Sequence, residues 1–218
     1  MTYLKRQNIG KFWPIPRKGT KYLAVASHNQ NESIPLLVVM RDVLKLVASK
    51  KELEMLVHQN MVKINGKEIR EVNYPLCLFD ILTLSNLKNS YRTKLSEHKK
   101  FEFEQIEGKE AETKIYKVLS KKIISGNKTQ LNLIQGKNIL SNEKVAIGDS
   151  IVFNLKENKI EKVIPMEKGR TVIAMNGKHI GVKGKIENIL ERGGKKIAKI
   201  AIENSKINVW VKNLIVIE

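Results

Sequence analysis

Met61-Val62-Lys63-Ile64-Asn65-Gly66-Lys67-Glu68-Ile69-Arg70 is the stretch on which the fold turns. An Asn-Gly pair accepts positive φ at both central positions of a two-residue turn, and the flanking residues alternate in polarity, so the segment predicts an antiparallel hairpin. Immediately upstream, residues 35–47 place Leu36, Leu37, Val39, Met40, Val43, Leu44 and Val47 at helical spacing, with Pro35 suited to the first turn. A second helix is announced by Ser49-Lys50-Lys51-Glu52, a capping box in which hydroxyl and carboxylate satisfy each other's backbone amides. Leu53, Leu56 and Val57 give it an apolar face, and it should stop near Asn60. Downstream, residues 76–84 read as an apolar strand that carries the lone cysteine, Cys77, as a small buried hydrophobe.

Beyond Leu87 the pattern changes to short strands separated by turns. Phe101-Glu102-Phe103-Glu104, Thr129-Gln130-Leu131-Asn132-Leu133-Ile134 and Ile151-Val152-Phe153-Asn154-Leu155 alternate as strands with one buried face. Gly126-Asn127, Gly136-Lys137, Gly148-Asp149 and Asn158-Lys159 mark the connections, which predicts an antiparallel sheet or partly closed barrel. From Met166 onward, Asn176-Gly177, Gly181 and Gly184 punctuate a further β segment. Strands over 197–202 and 207–217 follow, separated by Asn204-Ser205, and a small all-β barrel is the economical fold. The expected class is α+β and multidomain: a basic arm over residues 1–33, a small α/β domain over 34–86, a central antiparallel β domain over 87–165 and a small β-barrel over 166–218.

Charge points to the partner. The 218 residues hold 40 Lys plus Arg against 22 Asp plus Glu, a net charge of +18. Such a chain repels itself and attracts polyanions. With 42% hydrophobic residues it still has a core to build, so it is no disordered polybasic tail. No run is long enough to span a bilayer, and there is neither a secretory signal, a basic amphipathic helix nor a lipid anchor signal, so a cytoplasmic protein that binds nucleic acid is expected. No membrane and no small-molecule substrate are implied.

The arm carries Lys5, Arg6, Lys11, Arg17, Lys18 and Lys21 before the first acidic residue, Glu32. Pro14, Pro16 and Gly19 break any helix, so the arm reads as an irregular segment that folds on its partner. Trp13 and Tyr22 lie among these cations, a combination that RNA-binding proteins use to stack bases, although Trp13 equally suits packing of the arm onto the core. In the helix and hairpin region, Arg41 and Lys45 fall one helical turn apart, with Lys50, Lys51, Lys63, Lys67 and Arg70 on adjoining elements. In the barrel, Arg170, Lys178, Lys183, Lys185, Arg192, Lys195 and Lys196 gather near turns, and Arg192-Gly193-Gly194-Lys195-Lys196 reads as a loop reaching RNA. These cations are the candidate RNA contacts.

A catalytic centre is not expected. His28, His58, His98 and His179 are scattered, one cysteine cannot make a zinc-ligand pattern, and no phosphate loop or dinucleotide fingerprint is present. No cofactor or metal is implied.

Arg41-Asp42 with Leu44, and Val62-Lys63-Ile64-Asn65-Gly66-Lys67, resemble the S-four RNA-binding module. Lys168-Gly169-Arg170-Thr171, followed by Gly177, Gly181, Gly184 and Ile186, looks like the KOW motif. Together with Leu4-Lys5-Arg6, Trp13-Pro14-Ile15, Arg17-Lys18-Gly19-Thr20-Lys21 and Ser33-Ile34-Pro35-Leu36-Leu37-Val38-Val39, they resemble over nearly the whole chain the small-subunit ribosomal protein S-four-e family of archaea and eukaryotes. The resemblance implies an arm, an S-four-type domain, a central β domain and a KOW-type barrel, with small-subunit ribosomal RNA and neighbouring ribosomal proteins as partners. It implies a structural constituent of the ribosome and no enzyme. The chain looks compact for that family and is similar to archaeal-type or reduced members. The competing expectations are a KOW-containing transcription-associated factor or RNA chaperone outside the ribosome, and an RNA-modifying enzyme that docks through the S-four-type unit.

Overall fold

A computed structural model describes residues 3–9, 12–87, 89–124, 128–141, 143–202 and 205–218. The candidate Lys11 and the expected Gly126-Asn127 turn lie outside the described residues, as does Asn204 of the Asn204-Ser205 turn. The chain divides into two units, Met1–Lys114 and Ile115–Glu218. It is mostly β, with few helices.

The first unit opens on a closed loop. β1 (Leu4–Lys5) pairs antiparallel with β2 (Tyr22–Leu23), so the chain between them returns on itself. The Arg6 guanidinium holds that loop: it donates to the carbonyl oxygens of Thr20 (2.8 Å) and Pro16 (2.7 Å) and to the Thr20 hydroxyl (3.1 Å). Gly19, at φ +141°, makes room for it, because a Cβ there would lie 2.8 Å from the guanidinium. Trp13 is buried at 5% exposure, and its indole N–H donates to the Ser33 carbonyl at 2.9 Å. Among its described residues, the arm expected to fold on its partner thus makes hydrogen bonds of its own. Of the two readings of Trp13, the structure takes packing.

β3 (Ile34–Pro35) leads into a short α1 (Leu36–Val38), which widens into a π turn over Val39–Val43, where the Leu44 amide reaches the Val39 carbonyl at 2.8 Å. The expected helix over 35–47 thus stops early, because Lys45 takes φ 54°. That left-handed step turns the amides of Leu46 and Val47 back to the Met40 carbonyl (2.8 and 3.4 Å) and buries Val47 at 6% exposure. The expected pair therefore lies not in regular α-helix but with Arg41 in the π turn and Lys45 at the left-handed residue after it. α2 (Lys50–His58) begins as its capping box predicts, with the Glu52 amide donating to the Ser49 hydroxyl at 3.3 Å. The Glu52 carboxylate, however, reaches one residue further back and accepts from the Ala48 amide at 2.6 Å. Leu53 and Val57 face the core, and the helix ends at Gln59 with Asn60 at φ 55°.

The hairpin forms where its sequence places it. β4 (Val62–Ile64) pairs with β5 (Lys67–Glu68) across Asn65 and Gly66, at φ 51° and 76°. β6 (Pro75–Leu76) pairs with β3, and β7 (Ile81–Leu84) pairs with β4. The single strand expected over 76–84 is split, because the chain turns at 77–80, with Phe79 at φ 64° and the Asp80 carboxylate accepting from the Cys77 amide at 2.6 Å. The same carboxylate accepts from the Asn65 side-chain amide (2.7 Å) and from the buried Lys114 ammonium, while Asn65 Oδ1 accepts from the Ile81 amide at 3.0 Å. One buried ion pair thereby ties the hairpin turn to the corner. β8 (Asn89–Leu95) and β9 (Phe101–Ile106) extend the sheet to the order β5-β4-β7-β8-β9. The boundary expected at residues 86/87 is absent from this sheet: β8 pairs directly with β7, so the hairpin and the next two strands share one layer.

In the second unit, β10 (Thr113–Ile124), which starts at the end of the first, joins β11 (Lys128–Leu133), β12 (Asn138–Ser141), β13 (Ser150–Asn154) and β14 (Lys159–Ile164) in the order β12-β11-β10-β13-β14. Tyr116, Val118, Leu131, Leu133, Ile151 and Phe153 form its core. β15 (Thr171–Ala174), β16 (Lys183–Arg192), β17 (Lys195–Ile202), β18 (Ser205–Trp210) and β19 (Leu214–Val216) make a second sheet in the order β18-β17-β16-β15-β19. Its core is built from Ile164, Val172, Ala174, Ile186, Ala198, Ile200, Val209, Leu214 and Val216. Gly184 is required there, because a Cβ would stand 2.5 Å from the Ala201 carbonyl oxygen.

Candidate nucleic-acid interface

The closed N-terminal loop gathers its cations around an open cavity of about 560 Å³ lined by Lys5, Arg6, Gln7, Arg17, Lys18, Gly19, Thr20 and Lys21. Five of the eight lining residues are cationic and none is acidic. Arg6 spends its donors on the loop and supports the wall, whereas Arg17, Lys18 and Lys21 are exposed. Like charges are held close here because the loop is closed by backbone and guanidinium hydrogen bonds, and such a cluster is relieved by phosphate oxygens. Tyr22 stands beside the cavity at 53% exposure, edge-on to Tyr3 at 5.8 Å, with the Lys21 ammonium 5.4 Å from its ring centre. Tyr22 therefore offers an aromatic surface that the buried Trp13 does not.

The candidates on the helix and hairpin elements divide by what they already bind. Arg41 forks onto its neighbour Asp42, at 2.8 and 2.9 Å, and these bonds raise its pKa despite partial burial. Lys50 pairs with Glu54 at 3.1 Å and Lys63 with Glu68 at 3.4 Å. Lys45, Lys51, Lys67 and Arg70 are exposed, with no carboxylate partner among the described residues. Sequence spacing assumed regular α-helix through Arg41 and Lys45, whereas Arg41 lies in a π turn and Lys45 takes φ 54°.

In the second unit Lys178, Lys183, Lys185, Arg192, Lys195 and Lys196 are exposed and Arg170 is partly buried. Gly193 and Gly194, at φ 58° and 70°, form the tip of the β16–β17 hairpin and set Arg192 opposite Lys195. The residue that sequence reading missed is Trp210. It pairs with Ile197 across β17–β18, is 49% exposed, and has the Lys195 ammonium 4.7 Å from its ring centre. The signal was present in the alternation of β18: Val209 is buried, so its neighbour points outward. Among the described residues no group of His, Cys, Asp and Glu could hold a metal ion.

Comparison with known proteins agrees on one family. The model described as Ribosomal family S4e matches residues 87–160. The chain is 33% identical over 190 residues to the small ribosomal subunit protein eS4 of Methanosphaera stadtmanae, covering 86% of this chain and 79% of that protein. It is 32% identical to the eS4 protein of Halobacterium salinarum, covering 98% of this chain and 94% of the relative. For the eS4 protein of Nanoarchaeum equitans the identity is 29%, covering 98% and 96%. The fold is similar to the crystal structure of the 30S ribosomal protein S4e from Thermoplasma acidophilum, with a TM-score of 0.73 at 24% identity, covering 86% of this chain and 95% of that one. From the identity and coverage of these relatives, the chain belongs to the S4e family of small-subunit ribosomal proteins.

Proposed function

We propose that the chain seats its N-terminal basic cavity on phosphates of folded small-subunit ribosomal RNA, and so works as a binding and stabilising element of that RNA. As a member of the S4e family it is a structural constituent of the cytoplasmic small ribosomal subunit, not an enzyme. The observation that carries the RNA reading is the five-cation cavity without a carboxylate. Phosphate contacts position a protein without reading bases, so recognition rests on RNA shape. Lys45, Lys51, Lys67 and Arg70 extend the cationic surface of the first unit, and Arg170, Lys178, Lys183, Lys185, Arg192, Lys195 and Lys196 that of the second. Residues 34–86 serve as the S-four-type element and residues 166–218 as the KOW-type barrel. Neighbouring small-subunit proteins cover part of the remaining surface.

The test is the salt dependence of binding to isolated small-subunit RNA. Removing a cation that neutralises one phosphate lowers the slope of log affinity against log salt by about 0.7 to 0.9. Replacing Arg17, Lys18 and Lys21 together by Gln is expected to lower it by about 2. An unchanged slope would show that the cavity does not bear on phosphates. Sedimentation of the chain with small subunits through a moderate salt wash checks the ribosomal placement independently.

A further inference from the structure

Strand register in the second unit places an apolar row on the face of β16-β17-β18 that points away from the core. Leu190 pairs with Ile197, and Ile197 with Trp210, so the three side chains cross the sheet in line. The adjacent row, Ala198 and Val209, is buried, which sets the Leu190 row on the outward face. Leu190 is 53% and Trp210 49% exposed. The row is bounded on one side by Arg192 and Lys195 at the hairpin tip and on the other by Lys199, all on the same face by register. Glu191, the nearest carboxylate in β16, alternates to the opposite face with Lys196. The Lys195 ammonium lies over the Trp210 ring.

We propose that this face is a stacking platform for an unpaired RNA base, with Trp210 as the surface on which the base lies and Lys195, Arg192 and Lys199 holding its flanking phosphates. The inference rests on the RNA-binding function proposed above but uses a different surface. Charge complementarity selects the occupant: three cations frame a half-exposed indole, the Glu187 carboxylate on that face is already held by Lys206 at 2.7 Å, and a base with phosphates on either side satisfies both indole and cations. A protein partner packed on the apolar row would have to cover the same ammonium and guanidinium groups, which costs free energy unless each is given a carboxylate.

The full-length chain is titrated with short oligoadenylate and with blunt duplex RNA, following tryptophan emission, and its affinity for small-subunit RNA is measured in parallel. The wild-type chain should lose tryptophan emission on binding oligoadenylate, and much less on binding duplex. The Trp210→Phe variant, which retains buried Trp13, should show no such loss. Base stacking of this kind corresponds to about a tenfold change in affinity. Trp210→Ala should therefore bind oligoadenylate about tenfold more weakly, with Trp210→Phe in between and the salt slope unchanged. Lys195→Gln should lower the slope. Equal affinity of wild type and Trp210→Ala, together with no quenching by oligoadenylate, overturns the platform. If ultraviolet cross-linking in intact subunits joins Trp210 to a neighbouring protein and not to RNA, a protein occupies the face and the proposal is again overturned. Loss of small-subunit RNA binding in the cavity variant with quenching intact leaves the platform standing. Absence of small-subunit RNA binding by the wild-type chain instead removes the functional reading itself.

Discussion

Lys117 offers the sharpest test of how the second unit is held together. It sits on β10 at 2% exposure, and its ammonium donates to three backbone carbonyls, those of Val211, Lys212 (2.9 Å) and Leu214, around the 3-10 turn Val211–Asn213. Burial, with a smaller contribution from the charge of Lys212, lowers its pKa from 10.5 to about 8. The folded state therefore gives up this proton more readily than the unfolded chain. Below pH 8 the ammonium is present in both states and its burial penalty, about 3 kcal/mol, is fully present. As pH rises from about 8 to 10.5 the folded protein releases the proton while the unfolded chain keeps it, so stability rises through that window. Lys117→Met removes the penalty but also removes three charge-assisted hydrogen bonds, each contributing about 1.5–3 kcal/mol. The lowered pKa is already net of what those bonds do for the charged form, so the variant is expected to differ from the wild type in its pH dependence, which it lacks through this window. Urea unfolding of both full-length proteins, followed by circular dichroism from about pH 7 to 11, reads the difference directly. Subtracting the variant cancels the general relief of repulsion among the other cations. The wild-type curve should climb relative to the variant by about 3 kcal/mol across the window. Parallel curves would refute the argument.

Two further outcomes follow from the packing. Gly184→Ala should destabilise the second unit by about 1–3 kcal/mol, because the new methyl meets the Ala201 carbonyl oxygen and the Ile200 side chain at 2.5 Å; a change below about 0.5 kcal/mol in urea unfolding would mean the strands separate without strain. Cys77 is 6% exposed and burial pushes its thiol up to about 12, so native protein at about pH 8 should resist iodoacetamide and react only after unfolding. Stoichiometric labelling of the folded chain by mass spectrometry would contradict that.

The elements that sequence reading located are those whose cause is local. The Asn65-Gly66 turn needs only the backbone freedom of two adjacent residues, and the Ser49–Glu52 cap only a reach of three. The alternation of Phe101–Ile106 and Ser150–Asn154 marks strands without reference to their partners. The misread elements depend on particular bonds that periodicity does not reveal, one of them to a distant group. The chain breaks between Leu76 and Ile81 because Asp80 is held by Asn65 and by Lys114, 34 residues away. The helix after Pro35 ends early because Met40 offers its carbonyl to Leu46 and Val47, a bond that rewards the left-handed turn at Lys45.

The site shows the same division. Charge pointed to a polyanionic partner, since a net +18 is a property of composition. Which cations are available depends on the tertiary structure: it commits Arg6 to Pro16 and Thr20, Arg41 to Asp42 and Lys63 to Glu68, while leaving Arg17, Lys18 and Lys21 around one cavity. Trp13 and Trp210 are the clearest contrast. Identical in chemistry, one is buried by a hydrogen bond to Ser33 and the other is turned outward by the pairing of β17 with β18. By itself the sequence determined a basic chain of helices followed by short strands, with a hairpin at Asn65-Gly66. Tertiary structure alone decided which side chains remain free to bind, because burial and pairing are set by neighbours that are close in space and far apart in the chain.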